Sequence, residues 1–252
     1  MHARRRLMLA AILLCSLTTI GRAQTSYDWS ASQTNPASGG SGTWDLTSSN
    51  WLGPSGYVAW PNTGYDNAVF QGTPGTITLG ADGIDAGQLS FQVDGDALAS
   101  GGHTLNSSGN GNGTLLIDVA QGAGATILAP VNGGLTVGAG QLTLSGKFSM
   151  VAPGHVLSVG TTFSALPASV VINGASVTVP GGDLNPGEVY ADGPSGTALT
   201  ISGSSLNGAY SVNIGSYDYG SLTVQAGSTV NGVISGRTIS RACYELSPIA
   251  TS

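Results

Sequence analysis

Gly134-Leu-Thr-Val-Gly-Ala-Gly-Gln-Leu-Thr-Leu-Ser-Gly146 is the stretch whose reading decides the fold. It holds two short apolar–Thr–apolar alternations separated by a glycine hinge. Period-two alternation puts Leu135 and Val137 on one face of a strand and Thr136 on the other, and Leu142, Thr143 and Leu144 repeat the pattern. Threonine is β-branched and suits a solvated strand face. Glycine at Gly138 and Gly140 permits the bend between the two halves.

The same triplet recurs along the chain. Leu115-Leu-Ile117, Leu135-Thr-Val137, Leu157-Ser-Val159, Val177-Thr-Val179, Leu199-Thr-Ile201 and Leu222-Thr-Val224 start 20, 22, 20, 22 and 23 residues apart. A glycine precedes each within three residues. Repeats of roughly 20 residues that supply strands and a turn are the mark of a solenoid, in which each coil covers its neighbour's apolar face. The expectation is an all-β solenoid with Leu115, Leu135, Leu157, Val177, Leu199 and Leu222 stacked inside as one column. The alternative is an antiparallel β-sandwich. Asn112-Gly113, Asn132-Gly133, Asn173-Gly174, Asn207-Gly208 and Asn231-Gly232 all have the composition of hairpin turns. A sandwich has no reason to keep one triplet in step across about 110 residues, which favours the solenoid.

Residues 1–23 read as a signal peptide. His2-Ala-Arg-Arg-Arg6 is basic, Leu7–Ile20 is apolar but short for a bilayer span, and Gly21-Arg-Ala23 offers small residues for cleavage. Removing them takes Arg4, Arg5, Arg6 and Arg22, leaving Lys147, Arg237 and Arg241 against 13 acids, so the formal charge moves from −6 to −10. A surface without a basic patch does not suit nucleic acid or anionic membrane, and no membrane span is expected in the mature chain. Cys15 leaves with the leader and Cys243 remains alone, so no intrachain disulfide is expected.

Residues 24–75 read as an aromatic-rich N-terminal cap, 76–234 as the β-helix repeats and 235–252 as an irregular tail. The cap region holds all four tryptophans, Trp29, Trp44, Trp51 and Trp60, with Tyr27, Tyr57, Tyr65 and Phe70. Such a cluster serves either as the packed end of a solenoid or as a carbohydrate-stacking platform. Packing is the stronger reading, because a first coil needs covering and large rings bury the most area per residue. The last coil, around Leu222, has no comparable cover, so its open strand edge is expected to favour self-association.

Gly42-Thr-Trp-Asp45, Asn50-Trp51, Asp66-Asn-Ala-Val-Phe70 and Gly75-Thr-Ile-Thr-Leu79 resemble the opening of large bacterial surface proteins built from autotransporter-associated β-strand repeats. Gly87-Gln-Leu-Ser-Phe91 and Gly134–Gly146 are similar to the repeat phrase of that family. The resemblance covers roughly 27–146. It implies a right-handed parallel β-helix passenger, displayed at or released from the surface of a Gram-negative cell. After Gly146 the usual Asn-rich continuation gives way to Lys147-Phe-Ser-Met150, the repeats are few, and no translocator barrel is expected after Gly232.

Side chains that carry chemistry are sparse. Asp82, Asp85, Asp94 and Asp96 form the closest acidic cluster, with Asp94-Gly-Asp96 read as a solvated turn. Calcium is an ion that such loop carboxylates and carbonyls accept, but no cofactor is assigned. Gly39-Gly-Ser-Gly42 opens a calcium-repeat phrase, but Trp44 stands where aspartate is required. His103 and His155 lack a nucleophile motif, Cys243 lacks a partner, and Tyr210, Tyr217 and Tyr219 beside Asp218 suit either coil packing or a sugar surface. No catalytic, cofactor-binding or metal-ligating residue is assigned. The expectation is an exported, non-catalytic, adhesin-like structural protein at the cell surface, outside the cell or in the periplasm, with surface glycans or a second copy as partner. The alternative is a carbohydrate-binding or carbohydrate-active β-helix that uses the Trp-rich end.

Overall fold

The computed structural model describes residues 24–107, 113–146, 148–150, 156–160, 168–173, 176–178, 188–207, 211–215, 219–225, 227–231, 233–236 and 239–241. Among the described residues the chain is all-β, without a helix. Its strands form a 19-stranded mixed sheet and two smaller sheets of two and three strands.

The Gly134–Ser145 strand is the junction of this arrangement. Its first half pairs in parallel with Thr114–Val119 and Leu157–Val159, its second half with Gly124–Ile127 and Ala168–Asn173. Each half is therefore a rung in a separate ladder. The first ladder runs Ser26–Trp29, Asn67–Phe70, Gln88–Phe91, Thr114–Val119, Gly134–Ser145, Leu157–Val159, Glu188–Ala191, Ser211–Ile214, Val233–Gly236. The second runs Gly42–Trp44, Thr76–Leu79, Asp96–Ala99, Gly124–Ile127, Gly134–Ser145, Ala168–Asn173, Ala198–Ser202, Ser221–Val224, Ile239–Arg241. Shorter parallel pieces complete a third side: Leu105–Asn106 with Val131–Asn132, and Ser176–Thr178 with Ser205–Asn207 and Thr229–Val230.

The predicted single column is corrected by these registers. Leu115, Leu135 and Leu157 do stack in the first ladder. Leu199 and Leu222 stack in the second, below Leu142 and Val170, and Val177 belongs to the third, opposite Leu206. An apolar–Thr–apolar triplet specifies which face of a strand turns inward, and any of the three sides satisfies it. The in-and-out reading itself is observed: Leu135, Val137, Leu142 and Leu144 are fully buried, while Thr136 and Thr143 are half-buried.

The hairpin alternative is also corrected. From Thr114 onward every pairing between the described strands is parallel, leaving one isolated antiparallel bridge, Gly193 with Tyr219. Asn132 and Asn207 instead lie in parallel-paired strands, while Asn112, Gly174, Gly208 and Gly232 lie outside the described residues. Asn132 Nδ2 donates to Asn106 Oδ1 at 3.1 Å and Asn231 Nδ2 to Asn207 Oδ1 at 2.6 Å, so side-chain amides bond from rung to rung. Asparagine carries both donor and acceptor, which serves such bonding.

Antiparallel pairing occurs at the N-terminal end. Trp51–Gly53 pairs with both Ser26–Trp29 and Gly56–Val58, laying a hairpin over the first rung. The ladders begin within residues 24–75 and extend through Val233–Gly236 and Ile239–Arg241, so strands reach into the segment read as irregular tail.

The glycine hinge has a specific cause. Between Ile117 and Asp118 the register to the long strand slips by one residue at Gly138, a bulge that turns the strand from one ladder to the other. Gly140 then sits at φ +75°, where a Cβ would overlap the Val119 carbonyl. Gly140→Ala should cost at least about 2 kcal/mol, combining left-handed strain with a backbone clash. At Gly138 a Cβ would meet side-chain ends, the carboxylate of Asp118 first, so Gly138→Ala should cost less. Urea unfolding of the two variants checks the order.

Candidate functional site

The aromatic residues of the N-terminal end are a packed core. Trp29, Trp44, Trp51 and Trp60 are each no more than 3% exposed. Trp51 has ring centroids of Trp60, Trp44 and Trp29 at 4.7, 4.8 and 5.1 Å, and Phe70 stacks on Phe91 at 4.9 Å. The Trp29–Trp51 and Trp44–Trp51 contacts are edge-on and the Phe70–Phe91 pair is stacked, arrangements that bury large ring area. Trp29 Nε1 donates to Gly40 O at 2.8 Å and Trp60 Nε1 to Asp85 O at 2.9 Å, stitching the hairpin end to the first rungs. The Nε1 groups of Trp44 and Trp51 have no nitrogen or oxygen acceptor and lie among edge-on rings. These indole faces are closed to a glycan, so the tryptophans do not offer a stacking platform, whereas Tyr65 of the same cluster is 38% exposed. The reason lies in packing: the first rungs of a stack need apolar cover, and the tryptophans supply it.

The four clustered aspartates are not brought together. Asp82 is exposed and its Oδ1 meets His103 Nδ1 at 2.9 Å, a surface pair. The backbone N–H of Asp85 donates to Asn62 Oδ1. Asp94 accepts the Gly124 N–H at 2.8 Å and is exposed. Asp96 is 2% exposed, accepts the Gly75 N–H at 2.9 Å through Oδ1, and leaves Oδ2 without a partner. The reading of Asp94-Gly-Asp96 as a solvated turn therefore holds for Asp94 and fails for Asp96. Two residues apart, the first sits in the turn and the second is already the first inward position of the Asp96–Ala99 strand. Among the described residues no group of three or more His, Cys, Asp or Glu could hold a metal ion.

Burial sets the acid–base properties. Desolvation pushes the Asp96 carboxyl up, against the single bond from Gly75. Asp118 is also pushed up by burial, partly offset by Gln88 Nε2 donating to its Oδ2 at 2.8 Å. Asp45 goes the other way: burial raises it, but the amides and hydroxyls of Ser48 and Thr47 outweigh that and hold it at about 2. Asp45 is a loop clamp, with bonds of 2.6–3.0 Å.

The outward side of the second ladder carries Thr126, Thr143, Val171, Thr200 and Thr223 in one register line, each half-buried and uncharged. Beside it lies a cleft of about 250 Å³ lined by Gln121, Gln141, Ser169 and small residues. A wider one of about 540 Å³ lies by Ser100, Gly101 and Leu128. Tyr219 is 63% exposed. His155, Tyr210, Tyr217, Asp218, Cys15 and Cys243 lie outside the described residues. No helix among the described residues is long and apolar enough to cross a membrane.

No family model matches the chain, and no solved structure does. Over 162 residues, 60% of its length, the chain is 35% identical to the adhesin BmaC autotransporter of Brucella suis biovar 1 (strain 1330). The match spans 4% of that protein. The chain is thus similar to a short part of a much longer autotransporter adhesin.

Proposed function

We propose that the chain is an exported, non-catalytic adhesin segment built as a right-handed parallel β-helix, presenting its outer ladder faces at the cell surface. The observation that carries this reading is the 35% identity to an autotransporter adhesin over 60% of the chain. Parallel rungs recurring on three sides support the β-helix. Signal-peptide export of residues 1–23, the absence of any required cofactor, and self-association through the C-terminal edge belong to the same reading. Surface glycans are its proposed partner class, met by the hydroxyl-rich ladder faces and not by the buried tryptophans.

Beads coated with residues 24–252 test it. Adhesion to cultured animal cells above a bead coated with an inert β-protein is expected, together with no release of reducing ends from a polysaccharide panel. Equal retention of both beads would overturn the adhesive reading, and reducing-end release would overturn the non-catalytic one.

A further inference from the structure

One inward position of the second ladder departs from the aliphatic column it belongs to. In register, Asp96 stands over Ala125, then Leu142, Val170, Leu199 and Leu222, all buried aliphatics. A carboxyl thus occupies an aliphatic column. Among the described residues its carboxyl accepts one bond, from the Gly75 N–H, and Oδ2 has no partner. The adjoining backbone is otherwise fully engaged: Ala97 N donates to Gly75 O and Gly95 N to Gly124 O, both at 2.9 Å.

No described cation faces this carboxyl. The flanking strands Thr76–Leu79 and Gly124–Ile127 carry no titratable group, and the inward residues of the same turn of chain, Leu89, Phe91, Leu98 and Leu105, are apolar. Asp94, on the adjoining turn, is exposed, bonded to Gly124 N–H, and of the same sign. An ionised carboxylate in such a place lacks both water and a counter-charge, and the neutral acid is the form that survives burial.

We propose that Asp96 is a proton-sensitive element of the fold, buried as the neutral acid, whose ionisation loosens the rungs around Gly75 and Gly124. The raised affinity for a proton fits that geometry. The sign follows from linkage. A carboxyl that binds its proton more tightly when folded imposes no penalty below its unfolded value, 3.8. The penalty grows as pH rises from there to the folded value, and is constant above it. The N-terminal rungs are therefore firmest in acid, the reverse of the Asp45 clamp.

Asp96→Asn keeps an acceptor for Gly75 and removes the titration. Wild type and Asp96→Asn are unfolded in urea from pH 4 to pH 8. The folding equilibrium constant of wild type relative to the variant is expected to fall about tenfold per pH unit until the folded value is passed. A ratio that stays flat across the range overturns the proposal, since a purely structural Asp96 gives a pH-independent difference. If Asp96→Asn does not fold, hydrogen exchange on wild type decides. Protection of the Gly75 amide relative to the Gly80 amide, which donates to Trp44 O at 2.8 Å, should fall as pH rises. A constant ratio would refute the idea.

Discussion

Leu135→Asp should leave the protein largely unfolded at 25 °C, while Thr136→Asp beside it should fold normally. Leu135 is fully buried, with Leu115 and Leu157 in register on the neighbouring rungs. Truncation to alanine removes the buried methyls and leaves a cavity that the stiff ladder cannot close, costing about 2–5 kcal/mol. An aspartate adds a buried charge. Asp96 shows what the fold needs to hold a carboxyl inside, namely a backbone donor within 2.9 Å. Around Leu135 the donors are spent: its own N–H goes to Val156 O and that of Gly134 to Gly113 O. The penalty therefore rises well above that of alanine, against a total domain stability on the order of 5–15 kcal/mol. Thr136 is half-buried, between Leu116 and Ser158 on the outward side, and a surface change there stays within about 0.5 kcal/mol. Circular dichroism melts of Leu135→Ala, Leu135→Asp and Thr136→Asp read the order. Similar losses at 135 and 136 would mean that the strand does not present alternate faces.

Trp51→Ala should be the most damaging change at the N-terminal end, costing about 3–5 kcal/mol. The ring is fully buried and has Trp29, Trp44, Trp60 and Phe70 around it within 5.8 Å between centroids. Its strand, Trp51–Gly53, also bridges the first rung and the Gly56–Val58 strand. Loss of the ring opens a void shared by four aromatic neighbours, and the hairpin over the stack loses its anchor. Tyr219→Ala, at a 63% exposed ring, should change stability by no more than about 0.5 kcal/mol. Thermal melts together with near-ultraviolet dichroism, which reports packed tryptophans, provide the check. A glycan platform would behave differently: Trp51→Ala would then lose sugar binding and keep its melting temperature.

The alternation in Gly134–Gly146 by itself determined the inward and outward faces, because period two is a local property of an extended backbone. Repetition of that alternation with glycine at the corners determined an all-β chain of stacked strands. Concentration of every tryptophan between Trp29 and Trp60 marked where the aromatic packing lies. These are legible because each depends on residues close together in the chain. Which ladder a triplet joins is a different kind of fact. Leu135 and Leu199 open equivalent apolar–Thr–apolar triplets, yet one stands over Leu157 and the other over Leu222 in separate ladders. Successive rungs of the first ladder lie 32 residues apart between Leu157 and Val189 and 23 between Val189 and Val212, so even spacing in sequence does not mean one column in space. Loop length between rungs sets that choice, and loops are free to vary at small entropic cost. The same holds for the carboxyls. Asp94 and Asp96 read alike in a glycine turn, and only the register of Asp96 against Ala125 turns one of them away from water.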